Sequence, residues 1–182
     1  MLGLDVSTSC TGVCLLDHDG KVLHMGYCRT DKQRDPFSKL DVLTRYLIRV
    51  LDEVSDPGSL EVYIEEALKR FRRGMSSAGT IFKLAQFNGM VQLSCYYRLG
   101  IVPEMIAATE ARKSLGLKVL RESKCGITTK DQIVSFVQDR LGMEFEPKVM
   151  KSGPRKGQAV FDERNYDAAD AYVIAESGRL SG

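Results

Sequence analysis

The sequence lacks the long apolar runs that membrane proteins carry. No stretch approaches the ~20 consecutive apolar residues that a membrane-spanning helix needs. The first residues show no basic segment followed by an apolar stretch, so we expect neither a secretory signal nor a transit peptide. With 43% hydrophobic and 27% charged residues, the composition is typical of a globular protein, and we expect an intracellular location without membrane contact.

A zinc site built on thiolates is also missing from the sequence. Cys10 and Cys14 have no His or Cys pair elsewhere in the chain that could complete such a site. The five cysteines are odd in number and lie mostly in apolar segments, which favours reduced, buried thiols over a disulfide framework. We therefore expect a reducing compartment.

Neither sign of charge dominates, because the net charge is only +2. The basic residues nevertheless form two clusters, which are Lys69, Arg70, Arg72 and Arg73, and then Lys148, Lys151, Arg155 and Lys156. Local basic patches on a near-neutral protein can contact phosphates without a basic average composition. For either patch alone, an ordinary solvent-exposed face is a slightly better explanation.

The pattern of apolar residues predicts alternating strands and helices. Strands are predicted at 2–6, 12–16, 22–27, 60–64 and 101–107, and helices at 37–54, 77–99, 109–115, 129–141 and 165–180. Asp19-Gly20 predicts a tight hairpin turn, and the polar segment 144–159 reads as a mobile loop. A hairpin-led sheet joined by crossover helices is α/β with helices on both faces, and 182 residues fit one domain.

Four acidic residues occupy positions that are unusual for a carboxylate. Asp5 interrupts the first apolar strand. Glu65 directly follows the strand predicted at 60–64, which precedes the long helix at 77–99. Asp167 and Asp170 share one face of the last helix, where the flanking alanines allow close approach to the sheet. We expect all four carboxylates to meet at the strand ends.

Four carboxylates in one place repel each other and need a counter-ion. Mg²⁺ or Mn²⁺ prefers oxygen ligands, and two such ions about 4 Å apart can activate water and stabilise the leaving oxygen in phosphodiester cleavage. Each residue also has an ordinary explanation: Asp5 as a turn residue, Glu65 as a solvent-facing neighbour of Glu66, and Asp167 as a helix-start residue. The spacing alone leaves these alternatives open.

Three motifs, taken in order, carry a resemblance to a known family. They are Leu2-Gly3-Leu4-Asp5 with Thr11-Gly12, then Ile64-Glu65, then Asp167-Ala168-Ala169-Asp170-Ala171. This series resembles the active-site motifs of RuvC-type Holliday junction resolvases. The resemblance continues in Lys83-Leu84-Ala85-Gln86 with Gly89, in Lys113, and in Thr128-Thr129-Lys130-Asp131-Gln132. It covers nearly the whole chain, although the first motif alone is shared with the wider RNase H-like and actin-like folds.

The resemblance implies a fold, an activity and a set of site residues. The implied fold is an RNase H-like mixed five-stranded sheet with helices on both faces, in a single RuvC-like nuclease domain over residues 1–182. Asp5, Glu65, Asp167 and Asp170 would be the catalytic residues and the ligands of two Mg²⁺ or Mn²⁺ ions. Lys113 and Lys130 would contact DNA. Such a protein would work in the cytoplasm or nucleoid, or in a DNA-containing organelle.

The resemblance also implies a homodimer that nicks symmetry-related strands of a four-way DNA junction, because two-fold symmetry in the protein matches that of the substrate. We expect the helix starting at Ser77 to form the interface through an apolar stripe of Ile81, Leu84, Phe87 and Met90, of which roughly half must pack on the chain's own sheet.

The sequence departs from the family pattern at two places. The first motif continues as Asp5-Val6-Ser7, where the family often has Asp-Pro-Gly. The aromatic residue that enters the junction centre in the family is replaced by Leu68. Phe71, three residues later, could enter the junction instead, because apolar side chains can unstack a base step, and we expect it to contact DNA. The residues around Phe71 that we expect to contact the DNA backbone are Lys69, Arg70, Arg72 and Arg73.

Other functions are compatible with part of the sequence. A nuclease of the same fold could cut flaps or RNA–DNA hybrids, because junction specificity resides in dimer geometry. A non-catalytic RuvC-like subunit of a nucleoprotein particle should have relaxed its metal ligands, yet all four carboxylates are present. An actin-like kinase would need a second phosphate loop and roughly twice the length.

Overall fold

The computed structural model describes residues 1–52, 54, 59–67 and 77–181. Within these residues the strands are β1 (Leu2–Asp5), β2 (Cys10–Leu16), β3 (Val22–Arg29), β4 (Val62–Glu65), β5 (Glu104–Ile106), β6 (Lys148–Val149) and β7 (Ala159–Val160). The helices are α1 (Pro36–Leu51), α2 (Ala78–Leu99), α3 (Ala108–Ser114), α4 (Glu122–Cys125), α5 (Thr129–Leu141) and α6 (Asn165–Ser181). None of the helices described is both long and apolar enough to cross a bilayer.

The central sheet contains five strands in the order β3-β2-β1-β4-β5. The first three strands of the chain pair antiparallel, whereas β4 lies parallel to β1 and β5 lies parallel to β4. Parallel neighbours require crossover connections, and α1 and α2 provide them. The predicted mixed five-stranded α/β sheet is confirmed.

Each face of the sheet has its own apolar core. Leu2 and Leu4 of β1 pack with buried side chains of α1 and α2, such as Leu43 and Phe87. The opposite face packs Cys14 and its neighbours against α3, α5 and α6. Because side chains alternate along a strand, Gly3 and Asp5 point to the α6 side. The prediction of helices on both faces is therefore correct.

Three details differ from the sequence prediction. The segment predicted as a mobile loop at 144–159 contains the short hairpin β6–β7, in which Lys148 pairs with Val160. Gly153 and Gly157 adopt positive φ and let the chain reverse direction there. Helix α4 was not predicted, and β5 is three residues long rather than seven.

Part of the predicted interface stripe on α2 packs on the chain's own sheet, as expected for roughly half of it. Phe87 is 1% exposed and belongs to the core beneath the sheet, because the rotation of α2 turns it inward. The large apolar side chains of α2 that are more than half exposed are Phe82, Leu93, Tyr96 and Tyr97.

Candidate active site

Two of the predicted carboxylates stand side by side at the ends of neighbouring parallel strands. The register of β1 and β4 pairs Leu4 with Ile64, so Asp5 and Glu65 each follow one residue later on the same edge of the sheet. Val62 and Ile64 point into the α1 and α2 core, and Glu65 therefore faces the α6 side, as Asp5 does.

Helix α6 lies directly on this face because glycines remove the obstacles beneath it. A Cβ at Gly12 would lie 1.8 Å from the carbonyl oxygen of Asp167, and a Cβ at Gly3 would lie 2.4 Å from that of Ala171. Gly12 is also the strand partner of Asp5. The close approach carries the first turns of α6, with Asp167 and Asp170, to the end of the sheet.

Burial and mutual repulsion hold protons on this acidic cluster. Burial raises the pKa of Asp5 well above its usual range, and the charges of Glu65, Asp170 and Asp167 add to this effect. Burial and the charge of Asp170 also raise the pKa of Glu65. A hydrogen bond between the two carboxyl groups adds to the rise in the pKa of Asp5 and opposes the rise in the pKa of Glu65, so the pair favours a single shared proton.

Asp170 has a counter-charge that the sequence analysis did not identify. The Arg112 guanidinium of α3 donates a hydrogen bond from Nη2 to the Asp170 carboxylate at 3.3 Å. Burial raises the pKa of Asp170, and the charge of Arg112 opposes that shift. The buried Nε of Arg112 finds no hydrogen-bond partner among the described residues. Arg112 therefore has donor capacity left over at the edge of the cluster.

Asp167 is held by a thiol and faces a lysine. Burial raises the pKa of Asp167, whereas a hydrogen bond from Cys10 and the charge of Lys130 lower it. Burial also raises the pKa of the Cys10 thiol, which stays protonated and able to donate. The Lys130 ammonium lies 5.1 Å from the centre of the Tyr166 ring.

Whether these residues fit a divalent cation depends on the chemistry of their side chains and on how the side chains are arranged. In chemistry they match, because all four candidate residues are carboxylates and a cation would relieve the repulsion that raises their pKa values. In placement, no three His, Cys, Asp or Glu side chains of the described residues are arranged to hold one metal ion. Asp5 and Glu65 are turned to each other, and Asp170 is turned to Arg112.

The residues predicted to contact DNA are distributed differently. Lys130 acts electrostatically on Asp167 and Asp170, whereas Lys113 is exposed on α3 beside Arg112. The predicted contacts Lys69, Arg70, Phe71, Arg72 and Arg73, with Leu68, lie outside the described residues.

The sequence contains a pattern that could have identified Arg112 as an inward-facing residue. Ala108, Ala111, Arg112 and Leu115 follow the i, i+3, i+4, i+7 spacing of one helix face, and the structure turns that face inward. A guanidinium on the inner face of a helix beside an acidic cluster indicates an ion pair. Lys113 lies on the outer face, which explains why the adjacent Arg112 meets the carboxylates instead.

Strand order and the position of the helices define an RNase H-like α/β fold. No protein-family model and no curated protein matches the chain. Solved structures, in contrast, do match the chain. Thermus thermophilus RuvC in complex with Holliday junction substrate superposes with a TM-score of 0.63 at 17% identity, over 98% of this chain and 92% of that one. Another Thermus thermophilus RuvC structure gives 0.57 at 17% identity, over 99% and 95%. The chain therefore has a RuvC-like fold, as its motifs indicated.

Proposed function

We propose that this protein is a metal-dependent endonuclease that resolves four-way DNA junctions by paired symmetric nicks. The observation that carries the proposal is the meeting of four carboxylates at one edge of a RuvC-like sheet. The similar RuvC structure in complex with a Holliday junction substrate supports the choice of branched DNA over flaps or RNA–DNA hybrids. Residues 1–182 would form one nuclease domain.

Asp5, Glu65, Asp167 and Asp170 would hold two Mg²⁺ or Mn²⁺ ions. The bound ions would activate water and stabilise the leaving oxygen of the phosphodiester. To reach this state, Asp5 and Glu65 must release their shared proton, and Asp170 must exchange Arg112 for the cation. Arg112, once released, can donate to a phosphate oxygen from the same place.

Two lysines would bind the DNA backbone beside the carboxylates. The charge of Lys130 lowers the pKa values of Asp167 and Asp170, and Lys113 is exposed on helix α3 beside Arg112. Lysine contributes a point charge on a flexible stem, which suits contact with phosphates regardless of sequence. These contacts would hold the scissile strand over the acidic cluster.

A homodimer would place two such sites on symmetry-related strands. The apolar surface formed by Phe82, Leu93 and Tyr97 of α2, together with Phe37 of α1, supports an interface on this side of the sheet. Each of these side chains is more than half exposed, which is costly for so many large apolar groups on one surface. We expect the protein to act inside the cell, in a compartment that contains DNA.

Digestion of a synthetic four-way junction tests the proposal. With Mg²⁺, the unmodified protein should give paired nicks, and flaps and RNA–DNA hybrids of equal length should be cut more slowly. Asp5→Asn should reduce nicking at least about 100-fold, because removing a metal ligand should cost no less than removing a group that only orients one. Junction binding by Asp5→Asn should persist.

The outcomes separate the alternatives. Nicking by Asp5→Asn at the unmodified rate would contradict the proposed metal site. Preferred cleavage of flaps or hybrids would indicate another RNase H-like nuclease. Junction binding without cleavage by the unmodified protein would indicate a non-catalytic RuvC-like subunit of a nucleoprotein particle.

A further inference from the structure

The hairpin β6–β7 concentrates positive charge next to the acidic cluster. Between residues 147 and 161 the chain carries Lys148, Lys151, Arg155 and Lys156 and no acidic residue. Lys151, Arg155 and Lys156 are exposed around the turn that joins the two strands. A surface of this kind attracts a polyanion such as the nucleic-acid backbone.

The charged turn has a defined shape. The amide of Lys156 donates to the carbonyl of Gly153 at 3.1 Å, and the amide of Gln158 donates to that of Arg155 at 3.0 Å. These are two successive turns, with Pro154 in a favoured turn position and Gly157 at positive φ. The basic side chains are therefore presented on an ordered scaffold, which lowers the entropy lost on binding.

Aromatic contacts tie the hairpin to the helix that carries two of the carboxylates. The rings of Phe145 and Phe161 flank the hairpin and lie 6.5 Å apart, and the Phe161 ring lies 5.0 Å from that of Tyr166. Tyr166 belongs to α6 and directly precedes Asp167. The position of the basic turn is consequently coupled to the position of the acidic cluster.

A cleft leads from the base of the hairpin to that cluster. It has a volume of about 370 Å³, and its lining includes Lys148, Arg164, Arg29 and Cys10. Cys10 donates to Asp167, so one end of the cleft lies against the acidic cluster. Three acidic residues line the cleft as well: Asp162, Asp31 and Glu163. Asp162 pairs with Arg164 at 2.5 Å and faces Lys148 at 3.8 Å, and Asp31 pairs with Arg29 at 2.6 Å. The excess positive charge therefore lies in the turn of the hairpin rather than in the cleft.

We infer that the β6–β7 hairpin binds the phosphodiester backbone of a duplex arm beside the cleaved strand. The inference rests on the proposed function, and it adds a second DNA-contacting element to that site. The contacts are with phosphates alone and carry no sequence preference. Binding through this element is therefore steeply dependent on salt concentration.

A matched pair of lysine substitutions tests the inference. Lys156 and Lys21 are both exposed and both lie in the turn of a β-hairpin, but Lys21 joins β2 to β3 at the end of the sheet opposite Asp5. Affinity for a four-way junction is measured without divalent ions across a salt titration. At 0.1 M salt, Lys156→Glu should weaken binding roughly tenfold, whereas Lys21→Glu should change it less than about twofold.

A second variant removes the charge without reversing it. This variant combines Lys151→Ser, Arg155→Ser and Lys156→Ser in one chain. The slope of the logarithm of the binding constant against the logarithm of the salt concentration should become shallower by roughly one for each lost phosphate contact. If this variant and Lys156→Glu bind like the unmodified protein, or if Lys21→Glu weakens binding as much as Lys156→Glu, the hairpin inference is wrong while the proposed function stands. If the unmodified protein binds no DNA, both fail.

Discussion

Single side chains neutralise the acidic cluster of this protein from within. Asp5 and Glu65 share a proton, and Arg112 donates to Asp170. Both arrangements lower the cost of gathering negative charge in a partly buried place. In the proposed function both would also have to give way to a divalent cation, because the same oxygen atoms would become its ligands. Arg112 thus competes with the cation that the proposed function requires.

Replacing Arg112 tests this competition. Without divalent ions, Arg112→Ala should lower the free energy of unfolding by about 1–2 kcal/mol, because Asp170 loses a charged hydrogen-bond donor. In a Mg²⁺ titration followed by thermal unfolding, the same variant should reach its half-maximal rise in Tm at a lower Mg²⁺ concentration than the unmodified protein.

Arg112→Lys is the control for charge, since lysine keeps a positive charge on the same face of α3. Its Mg²⁺ midpoint should stay close to that of the unmodified protein. An Arg112→Ala midpoint that equals or exceeds the unmodified one would show that the guanidinium does not compete with a cation.

At the scale of elements, the close approach of α6 to the sheet depends on a glycine in each of the two strands that α6 covers, β1 and β2. The backbone of α6 comes so near to Gly3 and Gly12 that any side chain there would overlap with it. The obstructing atoms belong to the backbone and cannot rotate away. The site therefore depends on residues that have no functional group of their own.

We expect Gly12→Ala to destabilise the protein by about 1–3 kcal/mol or more, because the added methyl group must displace α6. Gly89→Ala in the middle of α2 is the matched control, since a Cβ there would meet no described atom within 4 Å. It should be neutral or stabilise by about 0.5–1 kcal/mol. Urea unfolding measures both, and equal stability of Gly12→Ala and the unmodified protein would contradict the close approach.

At the scale of the whole molecule, the side of the sheet that bears α1 and α2 leaves large apolar groups uncovered. Phe37, Phe82 and Tyr97 are each more than 70% exposed, and Leu93 is 54% exposed. A cleft of about 360 Å³ between the two helices is lined by Phe37, Leu93 and Tyr97 among others. A second copy of the chain would cover this surface and would give the two-fold symmetry that paired nicking needs.

The combination of Leu93→Glu and Tyr97→Glu should convert the dimer to a monomer in sedimentation velocity, because it buries two charges in the interface. The monomer should nick junctions singly, so that paired cuts become rare. Val102→Glu is the control, because Val102 is 74% exposed but does not line the cleft between α1 and α2. A Val102→Glu monomer, or a dimeric double variant, would contradict this interface.

Much of the fold could be predicted because its signals are local. Alternation along β1 placed Leu2 and Leu4 on one face and Asp5 on the other, and the Asp19-Gly20 turn fixed the first hairpin. The α/β class followed from the hairpin and the crossover helices, whereas the four carboxylates were singled out by their positions and assigned by the resemblance to the RuvC family. These patterns extend over a few residues, so the local structure that they specify does not depend on contacts with distant parts of the chain.

Other features arise from contacts between residues that are distant in the chain. Arg112 meets Asp170 across 58 positions, and the inward turn of Phe87 depends on how α2 rotates against the sheet. The β6–β7 hairpin has too few strand residues for a sequence pattern, and aromatic rings from α6 and the hairpin flanks bring it into place. Such features depend on packing between helices and strands. The local periodicity of the sequence does not report the free energy of that packing.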